Sequence, residues 1–415
     1  VVQSGKIGEE SSSIFNISAL FTSGKSLCFC GLIFLFSLTV FALISPDALV
    51  NGDAALYQHQ IAQFDFSQRT THLGYYLLGI PFIHLLPLPS DYALNLMNCF
   101  FGALSIVLLF TIALTVSKNL LVAVVSSVLL STNYLFIYNT VYAEVYMPQL
   151  FFFLLSFQLV LSQKAISAGI AFGLAFLITP SSLFGIPCLI ILIKDRKQLI
   201  NFSTAASFVI AVALTPHLDD YFSGGRGLLK AMQGHMSLTQ IVYKEGNEFL
   251  KSLFLYVPFI LAGILQLVKD RSLRTLGIAI LSLWLVTFLF GERFGDVPVQ
   301  LPTYALFCLI GGLGFNYLSR LFNGKGAALI CTTFISLLLC ISITGFFAFR
   351  RIEETNHNLM EYRSTVLALN RTAHPNYLVI GDWTQGILFE HYLFQRSYTD
   401  VWINTEWLSG DWGQR

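Results

Sequence analysis

The sequence predicts an all-α polytopic membrane protein of about eleven transmembrane helices, with a small α/β segment at its C-terminal end. The first observation is composition: 55% of the 415 residues are hydrophobic and only 11% are charged, whereas soluble domains carry about 25% charged residues. The second is a mean hydropathy of +0.68. The third is a series of uncharged runs close to the ~20 residues that a helix needs to cross a bilayer, where only helices and closed barrels satisfy their own backbone.

The apolar runs define the predicted spans in chain order. Nine runs qualify or nearly qualify, at 26–46, 92–117, 119–138, 147–163, 198–216, 252–268, 275–291, 301–319 and 326–349. The run 165–193 carries no charge but is interrupted by TPSS at 179–182, which predicts two short helices in a tight hairpin. Residues 73–87 are short and contain Pro81, so we interpret them as a juxtamembrane or re-entrant helix. Nine spans and the two-helix hairpin make eleven crossings.

Basic residues in the short loops predict the orientation of the spans. With the N-terminal tail, residues 1–25, in the cytoplasm, the inner loops contain ten basic residues and two acidic ones, Asp195 and Asp270. The basic residues are Lys118, Lys164, Lys194, Arg196, Lys197, Lys269, Arg271, Arg274, Arg320 and Lys325. This bias agrees with the span count only if 73–87 does not cross and 165–193 crosses twice.

The domain organisation follows from this topology. Residues 26–349 form the predicted transmembrane domain, whose outer-face loops are 47–91, 217–251 and 291–300. Residues 350–415 follow on the outer face as a βαβ-like segment, in which NYLVIGD and SYTDVWIN have strand-like patterns and TQGILFEHYLF has helical spacing. This segment is too small to form a good core alone, so we expect it to pack on the outer loops or to begin a larger domain.

Composition also excludes some function classes. A formal net charge of +1 argues against a nucleic-acid partner, which usually needs a strongly basic surface. The seven cysteines lie mostly in apolar runs and show no metal-ligand or disulfide spacing. The polar residues of the outer loops are therefore the candidates for chemistry.

Two acids stand close to the predicted outer membrane boundary. Asp53, in the motif NGDAALYQHQ, follows the first span and precedes an amphipathic stretch that contains Tyr57. Glu144 is the single charged residue of a long apolar stretch, and an acid there is costly unless it is paired or lines a polar cavity. Tyr142 and Tyr146 flank it and can hydrogen-bond it. A solvated loop position for Asp53 and an interfacial one for Glu144 are the simpler alternatives.

The juxtamembrane stretch contributes a second group. THLGYYLLG, at 71–79, contains His72, Tyr75 and Tyr76. Tyrosines at this depth are often interfacial anchors. His72 faces the same predicted outer vestibule as the two acids, so it is also a candidate for the site.

Two further outer loops contain basic residues. FGERFGDVPVQLPTY contains Arg293 and Asp296, which form either part of a phosphate site or a local salt network. The loop containing SGGRG lacks the Gly-Lys-Ser/Thr ending of a P-loop. Its Arg226 and Lys230 either hold an anionic headgroup or are simply solvated.

Four motifs, in this order along the chain, resemble those of the glycosyltransferase-C superfamily and in particular the protein O-mannosyltransferase-like families. They are NGDAALY, THLGYYLLGIPF, LNLMNCFFGALSIVLLF and YAEVYMPQLFF, and the hairpin GLAFLITPSSLFGIP also looks like those families. The chain departs from the pattern at Leu73, where prolines usually stand, and at Pro180 or Ser181, where a histidine usually stands. The resemblance covers roughly residues 26–350.

The resemblance implies an inverting glycosyltransferase that moves a sugar from a polyprenyl-phosphate-linked donor to a hydroxyl of a protein, lipid or glycan. Asp53 is then the general base, and Glu144 orients the acceptor or supports the site. The implied phosphate contacts are His72, Arg226, Lys230 and Arg293, and the implied sugar or acceptor contacts are Tyr57, Tyr75, Tyr142, Tyr146 and Asp296.

The resemblance also implies the partners: a polyprenyl-phosphate-linked sugar, membrane lipids, and an acceptor protein or glycolipid. It places the active site on the non-cytoplasmic face, in a bacterial inner membrane facing the periplasm or an endoplasmic-reticulum membrane facing the lumen. No cofactor is predicted. An Mg²⁺ or Mn²⁺ ion between Asp53 and Glu144 stays open, because two acids without a supporting histidine pair are a weak ligand set.

Two alternatives belong to other function classes. A transporter or flippase for a lipid-linked substrate would need charged residues in the middle of several spans, and these spans are almost free of charge. The second alternative is a structural subunit of a membrane complex that keeps an ancestral fold but catalyses no reaction. It stays open because motifs alone do not prove activity.

Overall fold

The computed structural model describes residues 23–46, 52–64, 72–214, 242, 246, 249, 251–290, 297–321 and 327–372. Within these ranges the regular structure is helical throughout. The α-helices are α1 (Ser23–Ile44), α2 (Gly52–Gln63), α3 (Leu73–Leu85), α4 (Ser90–Ser117), α5 (Leu120–Ser131), α6 (Tyr134–Val141), α7 (Tyr146–Leu161), α8 (Ala165–Ile178), α9 (Ile186–Leu192), α10 (Arg196–Leu214), α11 (Val257–Lys269), α12 (Arg274–Phe290), α13 (Leu301–Leu321) and α14 (Ala327–Thr372). Short 3-10 helices cover Pro180–Gly185, Phe254–Tyr256 and Val297–Gln300.

Each predicted span coincides with a helix or a bent pair of helices. By length and composition, the described residues contain three helices able to cross a membrane, at Tyr92–Ser117, Leu301–Leu321 and Thr333–His357. The pair α5 and α6 makes a fourth if it is one broken span, and most of the other predicted spans match shorter apolar helices. The span predicted at 198–216 matches α10, which does not meet the length and composition criteria for crossing a membrane. The all-α membrane prediction is therefore confirmed for this part of the chain, and eleven crossings stays a prediction.

The run 119–138, predicted as one span, is bent by 64° between α5 and α6. Asn133 lies at the break, where its Oδ1 accepts a hydrogen bond from the Phe136 backbone nitrogen at 3.1 Å. Its Nδ2 donates to the Ser252 carbonyl at 2.9 Å. The side chain thus caps the new helix and ties the break to a distant part of the chain.

The run 165–193 contains two short helices, as predicted, but they do not form a tight hairpin. Helix α8 packs between α7 and α10, whereas α9 packs mainly on α12, and the two have little direct contact. Helix α10 approaches α8 closely: a Cβ atom built on Gly169 would lie 2.3 Å from the Phe202 carbonyl oxygen. Small residues allow such backbone approaches between membrane helices.

Helices α2 and α3 occupy the region predicted as the first outer loop, and they run in the same direction. Tyr57 contacts His72 at the start of α3, whereas Phe64, just after α2, stacks on His84 at a ring-centroid distance of 4.4 Å. His84 Nε2 donates to the Ile61 carbonyl at 3.0 Å. The N-terminal ends of both helices therefore lie at the same end of the molecule.

Helix α14 is 46 residues long and passes through residue 350 without interruption. The predicted boundary between the transmembrane domain and residues 350–415 therefore falls inside a helix, and the domain division stays a prediction. The βαβ-like pattern at 376–404 lies outside the described residues.

Candidate functional site

Asn95, a fully buried residue of α4, joins the segments that follow α1 and α6. Its Nδ2 donates to the Pro46 carbonyl at 2.9 Å, and its Oδ1 accepts from the Ala143 backbone nitrogen at 2.8 Å. Pro46 leads toward Asp53 in the sequence, and Ala143 directly precedes Glu144. One side chain therefore holds together the starts of the two chain segments that carry the predicted acids.

Asn98, one turn later on the same buried face, holds the Glu144 segment a second time. Its Nδ2 donates to the Tyr142 carbonyl at 2.6 Å and to the Glu144 carbonyl at 2.7 Å. Buried carbonyls in an irregular segment need such donors, because no helix or sheet supplies them. We name these two side chains, Asn95 and Asn98, the asparagine clasp.

His72 connects the start of α3 to the end of α8. Its Nδ1 lies 2.8 Å from the Ile178 carbonyl oxygen; a carbonyl can only accept, so Nδ1 carries the proton in this contact. A Cβ atom on Gly74 would lie 2.9 Å from the Ile178 nitrogen, which shows how closely the two backbones approach. This contact brings α3 and the turn after α8 to the same end of the molecule.

Three buried tyrosines pack beside this contact. The ring of Tyr57 lies 5.1 Å from that of Tyr75 and 5.8 Å from that of Tyr76. The Tyr75 hydroxyl has no hydrogen-bond partner among the described residues. Its burial, with the Glu144 carboxylate and Tyr76 adding to the effect, raises the pKa of Tyr75. Tyr75 is therefore a neutral O–H group in the electrostatic field of Glu144.

Asp53 is the second residue of α2 and lies one turn before Tyr57. The side chain of Asp53 lies outside what the structure describes. Gln60, one turn after Tyr57, is 1% exposed, and both its polar atoms lack a hydrogen-bond partner in the described part of the chain. Buried polar groups are almost always paired, so Gln60 is a site candidate that the sequence analysis missed.

Gln149, in the first turn of α7, is a second residue that the sequence analysis missed. Its Nε2 donates to Ser181 Oγ at 3.2 Å and to Ser182 Oγ at 3.1 Å, so α7 holds the 3-10 turn that follows α8. A polar residue inside a predicted span was the available signal, since glutamine is costly in lipid unless it has a partner.

Tyr142 does not hydrogen-bond the Glu144 side chain, contrary to the sequence-based expectation. Its hydroxyl donates toward the Ile352 carbonyl at 3.3 Å and Asn356 Oδ1 at 3.1 Å, both on α14. Burial, the largest influence, raises the pKa of this phenol. Tyr146, 9% exposed, begins α7. Tyr142 therefore ties the Glu144 segment to α14, and its role as a contact for the sugar or the acceptor stays a prediction.

Four of the predicted site residues belong to the predicted outer loops at 217–251 and 291–300. Arg226, Lys230, Arg293 and Asp296 lie outside the described residues, so their roles stay predictions. Among the residues that are described, no three His, Cys, Asp or Glu side chains come together as a metal site. The side chain of Asp53 is outside the described part of the structure. An Mg²⁺ or Mn²⁺ ion between Asp53 and Glu144 is therefore neither supported nor excluded by that result.

The two tyrosines give a prediction on stability. We expect Tyr142→Phe to destabilise the fold by about 1 kcal/mol, because a hydrogen bond to α14 is lost. Tyr75→Phe, the matched control, removes a hydroxyl that makes no described hydrogen bond, so we expect no loss. Thermal unfolding of both variants in the same detergent measures the difference. A larger loss for Tyr75→Phe than for Tyr142→Phe would contradict this account of the two hydroxyls.

The helical fold and the polar residues around the asparagine clasp define the class of protein. It is an integral membrane protein of many helices, with a candidate site where α2, α3, α7 and α8 come together. Among solved structures it is similar to ArnT from Cupriavidus metallidurans bound to undecaprenyl phosphate, with a TM-score of 0.64, 9% identity, and 90% of this chain and 85% of that chain covered. The apo state of the same ArnT matches with a TM-score of 0.63, 10% identity, and 89% and 85% covered. No protein-family model and no curated protein matches the sequence.

At this identity the likeness shows the fold alone, which is the glycosyltransferase-C fold of ArnT. The fold predicted from the glycosyltransferase-C resemblance is confirmed. The finer resemblance to O-mannosyltransferase-like families stays a prediction.

Proposed function

We propose that this chain is an integral-membrane glycosyltransferase that moves a sugar from a polyprenyl-phosphate-linked donor to an acceptor hydroxyl. The observation that carries the proposal is the fold shared over 90% of the chain with an ArnT structure bound to undecaprenyl phosphate. The site adds support, because the asparagine clasp holds the segments leading to Asp53 and Glu144 on one helix.

The proposed reaction is a single inverting displacement. Asp53 takes the proton from the acceptor hydroxyl while that oxygen attacks the anomeric carbon of the donor sugar. The bond between the anomeric carbon and the phosphate oxygen breaks, and its electron pair leaves with the polyprenyl phosphate. A glycosidic bond forms on the opposite face of the sugar.

The remaining residues have supporting roles in this proposal. His72, whose ring is fixed by the Ile178 carbonyl, and the basic residues Arg226, Lys230 and Arg293 stabilise the charge on the leaving phosphate. Glu144 orients the acceptor. The proposed contacts for the sugar or the acceptor are Tyr57, Tyr75, Tyr142, Tyr146 and Asp296.

The proposed acceptor is a hydroxyl of a protein, lipid or glycan, and the O-mannosyltransferase-like resemblance favours a hexose donor. The site lies on the non-cytoplasmic face in this proposal, since the loop charges place the N-terminal tail inside. The three described helices that are able to cross a membrane have no charged residue within 92–117, 301–319 or 333–349. This favours a transferase over a transporter.

The test uses the purified full chain in lipid nanodiscs with undecaprenyl-phosphate-linked sugars carrying a labelled sugar, together with a membrane extract as acceptor. We expect labelled acceptor and free undecaprenyl phosphate to form in equal amounts. A liposome assay on the same protein follows donor movement between leaflets. Donor movement with no labelled acceptor would support a flippase and overturn the proposal, as would the absence of both product and undecaprenyl phosphate binding.

A further inference from the structure

The 3-10 turn Pro180–Gly185 begins with an uncharged cluster of hydroxyl groups held by one amide. Gln149 Nε2 donates to Ser181 Oγ at 3.2 Å and Ser182 Oγ at 3.1 Å. Ser181 Oγ also lies 3.1 Å from Thr179 Oγ1. Gln149 is only 2% exposed. We call these four side chains the hydroxyl cluster.

One polar atom of the hydroxyl cluster has no hydrogen-bond partner among the described residues. The two hydrogens of the Gln149 amide serve the two serines, and the Ser182 hydroxyl donates to the Ala175 carbonyl at 2.9 Å. Gln149 Oε1 is buried and has no hydrogen-bond partner in the described part of the chain. Ser181, unlike Gln149 and Ser182, is only half-buried. The cluster therefore presents an unused acceptor, Gln149 Oε1, beside the hydroxyl of a half-buried serine.

The cluster borders the candidate site rather than standing apart from it. Ile178, whose carbonyl accepts from His72, lies three residues before Ser181. Gln149 lies five residues after Glu144, whose carbonyl is held by Asn98. The cluster thus lies where α3, α7 and α8 come together.

The chemistry of the cluster selects the kind of group that it would bind. No charged residue occurs from 165 to 193, so the cluster offers nothing to balance the charge of a phosphate. An amide oxygen accepts from a hydroxyl, and a serine hydroxyl both donates and accepts. A sugar ring with neighbouring hydroxyls matches this set.

We propose that the hydroxyl cluster binds hydroxyl groups of the donor sugar and determines which sugar is transferred. This inference rests on the proposed function. A buried site built to hydrogen-bond a hydroxyl can reject an analogue that lacks it by about 10⁴–10⁵-fold, because the groups of the site are then left unpaired. Gln149 and Ser181 are the residues expected to contact the sugar.

The test compares Gln149→Met with Gln158→Met. Gln158 is on the same helix, about 13 Å further along at 1.5 Å per residue. Like Gln149, it has an Oε1 without a hydrogen-bond partner among the described residues, and its Nε2 donates to Thr115 Oγ1 at 3.2 Å. Two quantities are measured: the Kd for bare undecaprenyl phosphate, and kcat/KM for the best donor in a panel of undecaprenyl-phosphate hexoses and pentoses.

We expect Gln149→Met to keep the Kd for undecaprenyl phosphate within about 2-fold but to lower kcat/KM for the best donor by about 100-fold or more. The differences in kcat/KM among the donor sugars should become smaller in this variant. Gln158→Met should change neither quantity. Ser181→Ala leaves the hydrogen bond between Gln149 and Ser182 in place. We expect it to keep the Kd for undecaprenyl phosphate and to lower kcat/KM by a smaller factor than Gln149→Met. It replaces Gln149→Met as the test variant if that protein does not fold.

Three results overturn the inference. Unchanged kcat/KM and sugar preference in both site variants would remove the cluster from donor recognition while leaving the transferase proposal intact. Equal losses of undecaprenyl phosphate binding and transfer would show a structural role only. A wild-type chain that neither binds undecaprenyl phosphate nor transfers any sugar would overturn the proposed function itself, and the inference with it.

Discussion

Asp53→Asn is expected to lower sugar transfer by about 10²–10⁴-fold, the range that general-base catalysis contributes, while the protein remains folded. An amide cannot take the proton from the acceptor hydroxyl, so the attacking oxygen keeps its proton and reacts slowly. The change is nearly isosteric, and Asp53 is near the N-terminus of α2. Loss of a charge there costs only about 0.3–1 kcal/mol of helix stabilisation.

The matched control is Asp91→Asn. Asp91 is the second residue of α4, as Asp53 is of α2, and both lie in the predicted first outer loop. We expect Asp91→Asn to retain transfer. The measurement is initial rate with the labelled donor, normalised to folded protein from size-exclusion chromatography. Full activity in Asp53→Asn would refute the general-base role, and a matching loss of folded protein would assign Asp53 a structural one.

Asn98→Leu is expected to lower both the stability of the fold and the rate of transfer. The substitution removes the donor for the Tyr142 and Glu144 carbonyls, and leaving the buried Tyr142 carbonyl unsatisfied costs about 1–3 kcal/mol. The segment carrying Glu144 then loses one of the two side chains that hold it. We therefore expect a lower melting temperature together with reduced transfer.

Asn139→Leu is the control for this substitution. Asn139 is also buried, but its side chain donates to the Leu135 carbonyl one turn earlier in the same helix, at 2.9 Å. We expect a smaller fall in melting temperature, because no segment is held by that bond. Equal effects of the two variants, measured by thermal unfolding and initial rates, would contradict the role of the asparagine clasp.

These two predictions separate chemistry from positioning. Asp53→Asn should lose transfer without losing stability, whereas Asn98→Leu should lose both. The opposite result, in which Asp53→Asn lowers the melting temperature and Asn98→Leu does not, would contradict the roles assigned to both residues.

The helices themselves were predictable from the sequence. A long uncharged run has few alternatives to a helix in lipid, since the backbone must satisfy its own hydrogen bonds there. The break at 179–182 was predictable because TPSS interrupts an otherwise continuous apolar run. The helix within 73–87 was predictable because that apolar run is too short to cross a bilayer, and Pro81 lies inside it. The glycosyltransferase-C architecture followed from the order of four motifs and agrees with the similarity to ArnT.

The packing of these helices was not predictable. The bend between α5 and α6 depends on Asn133 donating to Ser252, which is 119 residues away. Helix α8 packs on α7 and on α10, which approaches Gly169 closely, whereas α9 packs mainly on α12. Apolar runs specify that a segment enters the membrane, and they contain no information on which neighbour it meets there.

By itself the sequence determined that the chain is a helical membrane protein and which acids, Asp53 and Glu144, stand near the boundary of its spans. Only the tertiary structure decided which polar side chains support them: Asn95 and Asn98 as the clasp, Gln149 with the serine turn, and Tyr142 turned toward α14. The physical reason is that a charge near lipid is unusual enough to be recognised alone. An asparagine, glutamine or tyrosine acquires its role only from the partner that folding brings within hydrogen-bond distance.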